Sequence, residues 1–273
     1  STDIICYGLS PTAPVDVTIE KTFTGKIGLR GDAFATSADG TTVTTAIGEY
    51  RETHLTAAGT DLFMPEFTGT GTPAGSTRIN MDTVDASTVI DIEDAAAAGE
   101  SGKHAVNLLA LHSGTVVSVR RGDVGIADYA PGETATVGTV NISHVTSPST
   151  DSKVTIGAGT TVTTVAQLSG SASLSAAGTI TTVSVESGTL VIDGSAAVTT
   201  LNINGGTVTS NTTGTIVTLN LNAGSLDMVK STTARTVTNF NPKNGATAVY
   251  DPSVITLTNI GEPSDPTSIS WSR

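Results

Sequence analysis

Val162, Ile180, Val198 and Ile216 follow one another at a constant interval of 18 residues. Three residues after each stands another apolar side chain: Val165, Val183, Leu201 and Leu219. Five after come Gln167, Val185, Ile203 and Leu221, and eight after comes a glycine: Gly170, Gly188, Gly206 and Gly224. Ten and twelve after come Ala172 and Leu174, Leu190 and Ile192, Val208 and Ser210, Leu226 and Met228. A fixed period of this size marks a solenoid. Apolar residues two apart mean strands with one face turned inward. The three-residue step from Ile180 to Val183 breaks that alternation and predicts a bend. The glycine predicts the next corner, taken with a positive φ. Such a repeat is too short for two helices and their turns. It suits one coil of a parallel β-helix, with coils stacked about 4.8 Å apart. The predicted fold class is therefore all-β: a parallel β-solenoid (β-helix) of about 18 residues per coil, with an irregular β-rich N-terminal region.

The register extends in both directions. Upstream, Val137, Val140 and Ile142 match the first three apolar positions, in a coil lengthened to 25 residues by the insertion TSPSTDS. One coil earlier, Val117, Val119, Gly122, Val124 and Ile126 fit. Downstream, Val237, Phe240, Gly245 and Val249 continue the pattern, and Val254 with Leu257 opens a last, partial coil. The solenoid is expected over residues 106–260. Residues 1–105 read as a β-rich cap or docking region with long insertions. There VDVTIEKTF alternates as a strand should, and GTGTPAG and AAAAGESG punctuate it. Six of the ten aromatic residues lie before residue 70: Tyr7, Phe23, Phe34, Tyr50, Phe63 and Phe67. Residues 261–273 are expected to form a capping tail, in which GEPSDPT breaks the last coil and Trp271 is placed to cover its open end.

Threonine fills the outward positions beside each marker: Thr163, Thr181 and Thr199, then Thr164, Thr182, Thr200 and Thr218. Stacked β-branched side chains suit a flat parallel sheet. Asn202 and Asn220 are placed for an amide ladder. Burial within one coil does not offset the entropy lost in ordering it, so ladder hydrogen bonds, neighbouring coils and a partner chain are expected to contribute.

Lys and Arg total 13 against 25 Asp and Glu, a net charge of −12. That balance repels phosphate backbones and anionic lipid, so neither nucleic acid nor membrane is an expected partner. No stretch approaches the roughly 18 apolar residues of a spanning helix. The opening segment STDIICYGLSPTAP lacks a basic region followed by an apolar run, so no export signal is expected. Cys6 is the one cysteine, which leaves no intrachain disulfide and no cysteine metal cluster.

Chemical motifs are sparse. RGD occurs at Arg30–Asp32 and at Arg121–Asp123. Adhesion is one reading. The other is an ordinary turn at a strand end, because Gly122 falls on the corner glycine of its coil. Polysaccharide cleavage needs two carboxylates converging on one bond. Between residues 152 and 236 the only acids are Glu186, Asp193 and Asp227, at different coil positions, and no aromatic residue lies between Tyr129 and Phe240. The acidic run Asp82, Asp85, Asp91, Glu93 and Asp94 lacks the spacing of a calcium loop and reads as a solvated strand edge. His54, His104, His112 and His144 show no metal spacing and read as surface or turn residues. GTGTPAG misses G-x-G-x-x-G by one residue, SGKH lacks the rest of a phosphate loop, and G-x-S-x-G is absent. Catalytic, cofactor-binding and metal residues are all expected to be none.

The repeat GTITTVSVESGTLVIDG…AVTTLNINGGTV resembles the short-coil, Thr- and Gly-rich β-helices of bacteriophage virion proteins. The resemblance lies in the style of the repeat and covers about half the chain; repeats of this style also occur in bacterial surface adhesins. It implies a non-enzymatic structural protein of the virion, made and assembled in the host cytoplasm. Its nearest type would be a homotrimeric capsid decoration or cement protein whose partners are itself and a major capsid or other virion protein. It also leaves open a tail spike or receptor-binding protein that recognises or cleaves host surface glycan. A secreted adhesin is the third reading.

Overall fold

A computed structural model describes the backbone of seven strands upstream of residue 93, together with residues 104, 106–109, 111–128, 131–143, 150–243 and 245–261. Successive strands alternate between two parallel sheets, one of 12 strands and one of 11. Each strand pairs with the strand two further along, so the chain winds as a β-solenoid with no helix among the described residues. The 18-residue columns stack as the sequence predicts. Val165 pairs with Val183, Val183 with Leu201 and Leu201 with Leu219. Val162, Ile180, Val198 and Ile216 are fully buried, in one core shared by both sheets.

The shape of a coil follows from its outward residues. Thr181 and Thr182 both face out between buried Ile180 and Val183. The pairing with the next coil passes from Ile180 to Thr182 and skips Thr181, so the strand turns there. A coil thus has three faces: a short one around the marker, a second over residues 182–185 and a third over Thr189–Ile192. The corner before the third face is the glycine column. Gly170, Gly188, Gly206 and Gly224 have φ of 78°, 85°, 73° and 77°. A Cβ on Gly188, Gly206 or Gly224 would also overlap the carbonyl oxygen of the glycine one coil earlier. Only glycine satisfies both demands.

Asparagine ladders run along the second face. Asn220 Nδ2 donates to Asn202 Oδ1 at 2.8 Å, Asn202 to Ser184 Oγ at 3.3 Å, and Asn241 to Asn220 at 2.9 Å. The predicted Asn202–Asn220 pair is therefore part of a longer column. A second column joins Asn222 to Asn204 and Asn204 to Glu186, each at 2.7 Å.

The register departs from expectation towards the C-terminus. Ala248 and Tyr250 take the inward positions, while Val249 pairs with Asp227 and is half-buried. The corner there is one residue longer, and Gly245, with φ of 82°, lies one place before the glycine column. In the last coil Leu257, not Val254, pairs with Val237. Both shifts follow from the lengthened coil after Val237, which pairs with Leu257, 20 residues on.

Upstream, the strands Ile4–Cys6, Lys26–Leu29, Asp61–Met64 and Val89–Ile92 extend the first sheet, and Thr18–Ile19, Tyr50–Leu55 and Ser76–Asn80 extend the second. Both sheets thus continue above residue 106. The side chains of Tyr50 and Phe63, the other early aromatic residues, most of the acidic run and the tail after residue 261 lie outside the described residues.

Candidate functional site

Among the described residues, the densest group of ionisable side chains lies on the outer face of the second sheet, where Gly122–Ile126 runs between Val106–Leu109 and Ser152–Ile156. In Gly122–Ile126, Val124 and Ile126 point into the core, yet the outward residues Asp123 and Gly125 are buried too. They are covered by His104 and by the lengthened connection that carries Asp128 and Glu133. Gly125 makes the room, since a Cβ there would overlap the His104 ring.

His104 sits between two carboxylates. Its Nδ1 lies 2.6 Å from Asp123 Oδ1 and its Nε2 lies 2.9 Å from Asp128 Oδ2. Lys153, which pairs with Asp123 in register, donates its Nζ to Asp123 Oδ2 at 2.7 Å. Asn107, fully buried, donates to Glu133 Oε2 at 3.0 Å and accepts the Asp128 backbone N–H at 3.2 Å. Six side chains thereby tie three neighbouring strands to the connection over them.

A neutral imidazole has one N–H, so two carboxylate contacts require the protonated ring. Burial opposes that charge, but the hydrogen bonds to Asp123 and Asp128 outweigh it and hold the His104 pKa above 6.5. Burial likewise opposes the Asp123 carboxylate, and the bonds from His104 and Lys153 outweigh it and hold that pKa below 3.8. Within the His104–Asp123–Asp128–Lys153 set two cations meet two anions. No ring nitrogen of His104 and no oxygen of Asp123 is left to take a proton from a substrate. The arrangement is a closed ion network that clamps three strands.

His104 is thus a correction to the sequence reading: it is 5% exposed and not a surface residue, because strand pairing brings carboxylates 19 and 24 residues away onto its two nitrogens. His112 is exposed at a turn, as expected. At Arg121–Asp123 the corner reading stands, with Gly122 at φ 92°. The Asp123 carboxylate is buried and engaged, so this tripeptide presents no free aspartate. Arg30–Asp32, His144 and the side chains of His54 and Asp91 lie outside the described residues. Glu186 and Asp193 are each capped by an asparagine of the next coil, Asn204 at 2.7 Å and Asn211 at 2.9 Å, and do not converge.

A second buried charge went unread in the sequence. Arg235 points inward and is 5% exposed, donating to the carbonyl oxygens of Ser210 and Thr212. Burial pushes its pKa down. Its Nε, Ser210 Oγ and Asn211 Oδ1 are buried without a hydrogen-bond partner. The signal for it was the lengthened coil in which it lies. Among the described residues no group of three or more His, Cys, Asp or Glu side chains is placed to hold a metal ion. No family model, curated protein or solved structure matches the chain.

Proposed function

We propose that this chain is a non-enzymatic structural protein of a bacteriophage virion, a trimeric decoration or cement protein that binds and stabilises the head. The observation that carries the non-enzymatic part is the closure of the His104–Asp123–Asp128–Lys153 network, whose geometry serves rigidity. The solenoid supports the rest: it is a stiff stack, with a repeat style that resembles virion proteins. The net charge of −12 keeps free copies apart until a specific surface is offered. Heads assembled without the chain are expected to rupture at a lower temperature, and adding the purified chain is expected to restore them. Unchanged head stability together with lost adsorption to cells would replace this reading with a tail spike or receptor-binding protein.

A further inference from the structure

Arg235 lies where the regular stack is interrupted. In the coil before, the carbonyls of Ile192 and Gly194 accept from the backbone N–H groups of Asn211 and Thr213, at 2.7 and 2.9 Å. The same pattern one coil on calls for Val229 and Ser231 to donate to Ser210 and Thr212. The coil is longer there, with Ile216 paired to Val237, and the pattern breaks. Val229 turns its N–H to Asp227, whose Oδ1 accepts it at 2.9 Å. Arg235 takes over both carbonyls, its Nη2 donating to Ser210 and its Nη1 to Thr212.

The guanidinium does this from inside the coil. Arg235 is 5% exposed and stacks on inward Ile255 of the last coil. Ser210 helps to make room, since it takes the inward position that the larger Ile192 and Met228 fill in the coils on either side. The two carbonyls satisfy N–H groups but carry no net charge. No carboxylate among the described residues pairs with Arg235, and burial alone acts on its pKa. Arginine does not shed its proton inside a protein. A buried charge is costly unless it is paired. Two donors here also lack a partner: the Nε–H of Arg235 and the hydroxyl of fully buried Ser210. The hydrogen bond from Arg235 to the Ser210 carbonyl holds the two residues together at one site.

The charge and the donors call for the same thing, an acceptor with one negative charge. A water molecule accepts the hydrogen bonds and leaves the charge uncompensated. Phosphate and sulfate bring more bulk and more charge than a close-packed corner with one cation accommodates. A spherical monovalent ion accepts from an N–H and an O–H in any direction and balances the guanidinium. We infer that a halide ion, chloride in ordinary solution, is bound inside the solenoid by Arg235 Nε and Ser210 Oγ and closes the corner where the ladder is broken. This site depends on no part of the virion reading.

The test is the urea midpoint of the full purified chain, refolded in sodium chloride or in sodium gluconate at equal ionic strength. Equal ionic strength removes general screening from the comparison. The wild type is expected to have the higher midpoint in chloride, rising with the logarithm of its concentration once the site is filled. Ser210→Ala is expected to lose most of that chloride gain, and Arg235→Met all of it. Crystals of the wild type grown in sodium bromide are expected to show an anomalous scatterer within hydrogen-bond reach of Arg235 Nε and Ser210 Oγ, a result that needs no variant to fold. Equal wild-type midpoints in the two salts overturn the inference, as does an undiminished chloride gain in Ser210→Ala. Bromide found only on the surface, with water beside Arg235, overturns it as well.

Discussion

His104 cannot lose its proton without losing a contact, and this makes the clamp sensitive to pH in a defined direction. Its pKa is raised on folding, so its contribution is complete below 6.5 and is lost as pH rises through the higher folded value. Asp123 has a lowered pKa, so its contribution is present above 3.8 and is lost as pH falls below that. The melting temperature should fall as pH rises above about 6.5 in the wild type, and His104→Gln should flatten that slope. A wild-type slope equal to that of the variant would contradict the clamp. Gly125→Ala should destabilise by about 1–3 kcal/mol, read from denaturant midpoints, because the new methyl group meets the His104 ring. None of this was legible in the sequence. His104, Asp123, Asp128 and Lys153 share no local spacing, and they meet only once the coils are in register. Oppositely charged Asp123 and Lys153 in neighbouring coils were the available hint.

At the scale of the strand and the coil, the sequence was far more legible. Ile180, Val183 and Val185 announced both the alternation and its interruption, because a stacked coil forces each inward side chain to repeat at the same place. Gly188 announced the corner, because a positive φ and a carbonyl close against it leave no room for a side chain. Legibility failed where coil length changed. Gly245 and Val249 kept the expected spacing from Val237, but one added corner residue moved the inward positions to Ala248 and Tyr250. The same logic sets a scale of mutational damage. Leu201→Asp places an unpaired charge at a fully buried position and should cost more than about 4 kcal/mol in thermal or denaturant melts. Asn220→Ala breaks a half-buried ladder and should cost about 1 kcal/mol. Equal effects would mean that the columns do not share one core.

For the whole molecule, the stack explains both stiffness and dependence on neighbours, since a coil is stable only between others. We expect the purified chain to scatter light as a trimer of 27.4 kDa subunits, or to become one on its target. A monomer in both settings would remove the trimer from the proposal. The proposal that the chain is a structural component of a phage head is tested by immunogold electron microscopy of particles from a producing lysate, with antibody raised against the folded chain. Gold at repeated positions over the heads is the predicted result. Gold confined to tails, or to bacterial surfaces with particles bare, would contradict it.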